Sequence, residues 1–179
     1  MGSTNWFRFS LAPAALLVAW AAVPALAQRY EHPAFHWKID FPAGWLVAER
    51  TPRGAVASAP KGLARLVVSK ARTAAKDAKG EIRLSAATSR RRYGAARVLI
   101  EADISVRGHP GRRVEFSFAE PGSGRAMKGW RTVLVENGVA DEVAFEAAEE
   151  DYAAHRAAAE AALRSFLPSF DRTGALERR

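Results

Sequence analysis

The side chains of this sequence that could do chemistry are few. It contains four histidines and no cysteine, which excludes disulfides, thiol nucleophiles, thiolate zinc sites and iron–sulfur clusters. His32 and His36 have the i, i+4 spacing that can hold a metal on a helix, but Pro33 and the alternating residues after it predict a strand. On a strand these positions lie about 13 Å apart and cannot share an ion. His109 and His155 each stand alone, and we interpret both as structural.

Two further patterns could suggest catalysis. Ser123 lies between glycines, but a nucleophile elbow needs Gly-x-Ser-x-Gly between a strand and a helix, and here Pro121 precedes a predicted strand. We therefore predict a flexible loop. The acidic run 149–151 places adjacent carboxylates on different sides of a helix, so we interpret it as helix-start charge. No nucleotide-binding glycine motif follows a strand, and we predict no metal, no cofactor and no enzyme activity.

The arginines offer the only sequence pattern that points to a specific partner. The chain has 27 basic and 19 acidic residues and a formal net charge of +8, which favours anionic partners and also favours solubility. We predict a patch for an anion or a partner, namely an envelope protein or an anionic surface, formed by Arg90, Arg91, Arg92, Arg97 and Arg107. The alternative is a solvated basic surface. Aromatic residues barely interleave with these arginines, which argues against nucleic acid.

The first 27 residues have the order of a secretory signal peptide. An apolar run over 11–23 is followed by the small-residue pattern Ala25-Leu26-Ala27. The run is shorter than the roughly 20 residues of a spanning helix, so we predict cleavage after Ala27 and no membrane anchor. The mature protein is expected in the periplasm or outside the cell, with one domain over 28–170 and a flexible tail over 171–179.

Alternating apolar residues predict a mostly antiparallel β structure. Asn137-Gly138 is a strong signal for a hairpin with a type I′ turn. On the strand that begins at Arg97 we expect the apolar residues at positions 98, 100, 102, 104 and 106 to share one face. The predicted strands cover 35–41, 45–49, 55–58, 64–71, 97–106, 112–118, 127–135 and 139–145.

Two helices complete the predicted set. Residues 81–92 are interpreted as a helix, with an alternating strand as the other interpretation. Residues 149–166 are rich in alanine, and a common apolar face predicts that this helix docks on the sheet. That face consists of Tyr152, His155, Ala159, Ala162, Leu163 and Phe166. The residues from Pro168 onward are expected to fray.

The order of these segments resembles that of the PsbP-like family. Residues 35–45 resemble its opening strand followed by Pro, Gly and Trp, and a turn containing Gly108, the late Asn137-Gly138 hairpin and a final helix ending in Ser165-Phe166 follow in the same order. The resemblance, as an exported bacterial member, implies the α+β fold of the PsbP and Mog-type superfamily. In that fold an antiparallel sheet lies between helices, with the C-terminal helix packed on it. It also implies binding to partner proteins rather than catalysis, and no functional residue is carried over.

Three functions follow as hypotheses. The first is a non-enzymatic exported accessory protein of the cell envelope that binds a partner protein or assembly. The second is a small-molecule or lipid carrier with an aromatic-lined cavity, for which the candidate lining is Phe35, Trp37, Trp45, Phe116, Trp130 and Phe145. The third is an enzyme of unrecognised geometry.

Overall fold

The structure of the chain is a computed structural model that describes residues 27–84 and 96–170. Most of the described chain forms a seven-stranded antiparallel sheet in the order β3-β4-β5-β9-β8-β7-β6, and β1 and β2 form a separate hairpin. The strands are β1 Gln28–Glu31, β2 Lys38–Phe41, β3 Leu46–Thr51, β4 Gly54–Ser58, β5 Ala64–Arg72, β6 Arg97–Val106, β7 His109–Ala119, β8 Ala126–Glu136 and β9 Val139–Ala148. Helix α1 covers residues 78–84 of the described part, and helix α2 is Glu149–Ser165.

The central strands confirm the hairpin predicted from Asn137-Gly138. Both turn residues have positive φ, 50° and 74°, and the pairing of β8 with β9 runs without interruption from Glu136↔Val139 to Met127↔Ala148. Because cross-strand partners share a face, this register places Trp130 beside Phe145. Both rings are fully buried, so the hairpin supplies the centre of the core.

Helix α2 packs on one face of the sheet, as its apolar stripe predicts. Tyr152, Ala159, Ala162 and Leu163 are buried with the core residues of β5, β8 and β9. His155 is only half-buried and meets the ring of Trp45 edge-on, with ring centroids 5.7 Å apart. Strand β2 contacts the same helix, and its residues Ile39 and Phe41 belong to the same core cluster.

Helix α1 covers the opposite face and completes the α-β-α sandwich. Ala78 packs with Val133 and Ala140, and Ile82 reaches these and the neighbouring apolar cluster of β7. The helix begins at residue 78 rather than at the predicted residue 81, because Asp77 caps it: its Oδ1 accepts a hydrogen bond of 2.7 Å from the backbone N–H of Gly80. The predicted residues 85–92 lie outside the described residues.

The first predicted strand is shorter than expected. Residues 33–35 form a turn, His36 has a φ of 56°, and β2 begins at Lys38. The alternating pattern predicted that His36 lies on a strand. This is wrong because the backbone reverses there to pair β2 with β1, a strand that the sequence did not predict. Trp37 is nevertheless fully buried, so the apolar positions were identified correctly although the backbone was not.

Strand β6 forms one edge of the main sheet and contains a bulge. The pairing with β7 shifts between Val98 and Ile100, and the extra residue moves the following side chains to the other face. Val98 pairs with Phe116 on the α1 face, whereas Ile100 pairs with Glu115 on the α2 face. The expectation that five apolar residues of β6 share one face is therefore wrong for Val98.

The end of α2 gives a direct test of helix docking. Phe166 is 1% exposed and its ring centroid lies 6.3 Å from that of Trp37. Phe166→Ala should lower the free energy of unfolding by about 3 kcal/mol, the usual cost of removing a buried ring. The matched control is Leu46→Ala, because Leu46 is 75% exposed and its truncation should change stability by about 0.5 kcal/mol at most. Equal denaturation midpoints for the two variants would contradict the docked position of Phe166.

Candidate functional site: the β6 edge and an arginine cleft

The β6 edge carries a run of exposed apolar side chains. Val98, Leu99 and Ile100 are 58%, 39% and 55% exposed, and β6 has a paired neighbour, β7, on one side only in the described sheet. A strand at such an edge presents unpaired backbone N–H and C=O groups, which can pair with another chain. We refer to Val98, Leu99 and Ile100 as the β6 apolar run.

A four-residue ion network joins the next strand, β7, to helix α2. Arg113 donates from Nη1 and Nη2 to the two carboxylate oxygens of Glu160, at 3.0 and 2.5 Å. Arg156 donates to Glu115 at 3.2 Å and lies 3.6 Å from Glu160. The guanidinium of Arg113 also lies 4.5 Å from the centroid of the Trp130 ring, a cation–π contact. The two arginines and the two glutamates therefore balance each other's charge between the helix and the sheet.

The charge state of Glu160 keeps this network balanced. Burial alone would raise the pKa of Glu160, but hydrogen bonds and charge from Arg113 and then Arg156 outweigh burial, so that its pKa is lowered. Glu160 is therefore ionised at neutral pH and continues to neutralise Arg113.

Beside this network lies a cleft of about 270 Å³ between β6 and the end of α2. Its apolar floor is Ile104, Val106 and Leu163, of which Val106 and Leu163 are buried. Arg107 and Arg164 line it and are exposed, and neither makes a hydrogen bond or ion pair to another residue of 27–84 or 96–170. We call this the arginine cleft; Ser105 and Arg113 complete its lining.

Arg107 has an unusual backbone for its residue type. It occupies the turn between β6 and β7 with a φ of 51°, followed by Gly108 with a φ of 87°. Asn137 has the equivalent position in the β8–β9 turn, with a φ of 50°. Asparagine and glycine accept this left-handed region more readily than arginine does. The β6–β7 turn therefore has an arginine at the position where the β8–β9 turn has the more favourable asparagine.

The structure places the predicted arginines at separate points. Arg97 begins β6 and Arg107 follows its end, about 30 Å away along the extended strand, so these two do not come together. Arg90, Arg91 and Arg92 lie outside the described residues. Whether these three join Arg97 or Arg107 in a patch stays a prediction.

The charge pattern in the sequence pointed to Arg107 but did not place Arg113 or Arg164 in a site with it. Arg164 lies in the last turn of α2, where a basic residue is ordinarily explained by the helix dipole. Arg113 lies among alternating residues of β7 and its ion pair spans 47 residues of sequence. The pairing of β7 with β6 brings Arg113 to the cleft, and the docking of α2 brings Arg164 to it.

The remaining candidate residues have structural contacts. Nδ1 of His32 accepts hydrogen bonds from two backbone N–H groups at 3.2 Å, and Nδ1 of His109 lies 3.3 Å from Glu136. Ser123 donates to Glu120 at 2.7 Å and accepts from the backbone N–H of Arg125 within the loop. Residues 27–84 and 96–170 contain no group of three or more potential metal ligands.

The acidic run at the start of α2 is also in ion pairs. Arg125 donates to Glu150 at 2.7 Å and to Asp151 at 3.2 Å. The hydrogen bond from Arg125 lowers the pKa of Glu150. These carboxylates fasten the loop before β8 to the first turn of the helix, in addition to the helix-start role predicted for them.

Two carboxylates of β9 are buried, and each has a structural partner. Glu146 accepts a hydrogen bond of 2.6 Å from Nε of Arg65 across the β5–β9 pair. Asp141 accepts from the backbone N–H and the hydroxyl of Ser169 at 2.9 and 2.8 Å. Burial raises the pKa of Asp141, although both hydrogen bonds oppose the shift. The expectation that the chain frays from Pro168 is therefore wrong for Ser169, which this carboxylate holds.

The aromatic side chains proposed to line a cavity fill the core instead. The ring centroid of Phe145 lies 5.8 Å from that of Trp130 and 5.4 Å from that of Tyr152. Trp37, Trp130 and Phe145 are fully buried. Rings at these separations pack against each other. The lining of the arginine cleft contains none of them.

Comparison with known proteins gives the fold. No protein-family model and no curated protein matches the chain. PsbP from the cyanobacterium Synechocystis superposes with a TM-score of 0.59 at 14% identity, over 83% of this chain and 95% of that one. The chain has the PsbP fold. The sequence-based expectation of a PsbP-like α+β sandwich is thus confirmed.

Two other solved structures share the PsbP-like fold. LpqN of Mycobacterium tuberculosis, a protein involved in cell envelope biogenesis, has a TM-score of 0.59 at 12% identity, over 79% of this chain and 90% of that one. PA94 of Pseudomonas aeruginosa, a protein of unknown function, has a TM-score of 0.53 at 13% identity, over 80% and 97%. No helix within residues 27–84 and 96–170 is long and apolar enough to span a membrane.

Proposed function

We propose that this PsbP-like chain is a non-enzymatic accessory protein of the cell envelope that binds an extended segment of a partner protein along β6. The observation that carries the proposal is the β6 apolar run, which is exposed on a ten-residue strand at the edge of the sheet formed by the described residues. Soluble proteins usually shorten, charge or cover such an edge. An added strand would supply the missing backbone hydrogen bonds and bury these side chains.

The bulge in β6 gives the apolar run two faces. Val98 pairs with a residue on the α1 face and Ile100 with one on the α2 face. A partner strand would therefore make side-chain contacts on both faces of the sheet. Beyond the run, Glu101 and Asp103 are already bound by Arg112, at 2.7 and 2.6 Å. Arg97, at the start of the strand, and the net charge of +8 favour a partner segment that carries carboxylates.

An envelope location is supported by two observations. The amino-terminal 27 residues have the order of a signal peptide, and β1 begins at Gln28, the first residue after the predicted cleavage site. LpqN, which shares the fold, is involved in cell envelope biogenesis. We infer that the chain is exported and acts in the periplasm or outside the cell.

Export has a simple test. Amino-terminal sequencing of the protein recovered from cells that carry its native gene should read from Gln28, because cleavage should follow Ala27. The protein should appear in the envelope fraction released without detergent. Retention of Met1 together with recovery in the cytosolic fraction would contradict export.

Binding along β6 is tested with paired edge variants. A photo-crosslinking residue at position 99 should capture a partner in the native envelope, which mass spectrometry identifies. Val98→Glu and Ile100→Glu should each reduce capture at least fivefold, because a carboxylate on an edge opposes strand addition and repels an acidic segment. Leu46→Glu is the matched control, since Leu46 is an exposed apolar residue on the opposite edge strand, β3.

The outcomes separate a partner from a second copy and from general stickiness. Capture of one partner that Leu46→Glu leaves unchanged supports the proposal. Capture of this chain itself, with a matching dimer in sedimentation, would contradict a separate partner protein. Equal losses in the β6 and β3 variants would show that exposed apolar surface in general, and not the β6 edge, accounts for capture.

A further inference from the structure

Some charged side chains around the end of α2 are in ion pairs and others are not. Glu115 and Glu160 are engaged by Arg113 and Arg156, while Arg107 and Arg164 have no carboxylate partner among residues 27–84 and 96–170. Both unpaired guanidinium groups line one cleft. An ion network that is already neutral cannot balance them, so the arginine cleft carries excess positive charge. Guanidinium groups bind carboxylate and phosphate oxygens through paired N–H donors.

The floor of the cleft is apolar. Ile104, Val106 and Leu163 form it, and a fully hydrated ion gains nothing from such a surface. An anion that is attached to an apolar body would cover the floor and meet the arginines at the same time. The volume of 270 Å³ is about nine times the share of one water molecule in the liquid. It suits a head group with the first part of a single chain.

We propose that the arginine cleft binds a single-chain amphiphile with a carboxylate or phosphate head. The head lies between Arg107 and Arg164, and the alkyl chain lies over Val106 and Leu163. This site is separate from the β6 apolar run and does not depend on the partner proposed there.

The ligand chemistry is tested by calorimetric titration of the full mature chain with four probes. Octanoate and octyl phosphate should bind, whereas inorganic phosphate and octanol should each bind at least tenfold more weakly, since each offers only half of the contacts. Raising the salt concentration should weaken binding of both amphiphiles. Inorganic phosphate that binds as tightly as octyl phosphate would overturn the amphiphile assignment, and so would an absence of binding by either amphiphile.

The residues are tested by three variants that each remove one positive charge. Arg107→Asn and Arg164→Gln should weaken binding of octyl phosphate at least fivefold. Arg72→Gln is the matched control, because Arg72 is exposed at the end of β5 and has no ion pair within the described part of the chain. It should leave the affinity within twofold. Equal losses in all three would show attraction by net charge alone and would overturn the site.

Arg107→Asn also separates binding from folding. Asparagine suits the left-handed turn, as Asn137 does in the other hairpin, so the thermal midpoint of this variant should be unchanged or higher while its affinity falls. Arg107→Lys, which keeps the charge but loses the paired N–H donors, should lose less affinity than Arg107→Asn. A lower midpoint for Arg107→Asn in parallel with the lost affinity would assign Arg107 a structural role and contradict the proposal.

Vesicles distinguish a free amphiphile from a lipid surface. Phosphatidylglycerol vesicles present the same phosphate chemistry on two-chain lipids in a bilayer. Octyl phosphate should compete with these vesicles for binding to the protein. If the protein binds vesicles through Arg107 but does not bind octyl phosphate, the cleft is a membrane contact and the amphiphile site is contradicted.

Discussion

The position of Arg113 between sheet and helix is the interaction on which the rest of this structure depends. Its guanidinium stacks on Trp130 and is held by both oxygens of Glu160. A charge in such a place is tolerated only when it is paired and hydrogen-bonded. α2 must therefore dock in the one register that brings Glu160 over Arg113, and the same register places Leu163 and Phe166 in the core.

This docking decides which surfaces remain for function. α2 packs mainly on β9, β2, β8 and β5, so only the end of β6 near Val106 meets the helix. The apolar run at the start of β6 stays exposed. The last turn of the helix brings Arg164 to the turn that carries Arg107. Both candidate surfaces thus exist because the helix covers the sheet incompletely, and neither requires a residue with catalytic chemistry.

The sequence predicted the parts of the fold that local patterns determine. Alternation located β4 to β9, the Asn137-Gly138 pair located the central hairpin, and the apolar stripe located α2. It failed where a feature depends on tertiary pairing: β1 forms because β2 is beside it, and the bulge after Val98 has no marker in the residue pattern. The site followed the same division. Arg107 was predicted from charge, but its neighbours in the cleft come from distant segments.

The most direct test of this account is a double-mutant cycle on the pair that docks the helix. Arg113→Met, Glu160→Gln and the double variant should be compared by denaturant unfolding. If the pair fixes the register of α2, the coupling between the two sites should be about 1 to 3 kcal/mol. Losses that add to within about 0.5 kcal/mol would show that the two side chains act independently. The ion pair would then not be the constraint that positions helix α2 and the cleft beside it.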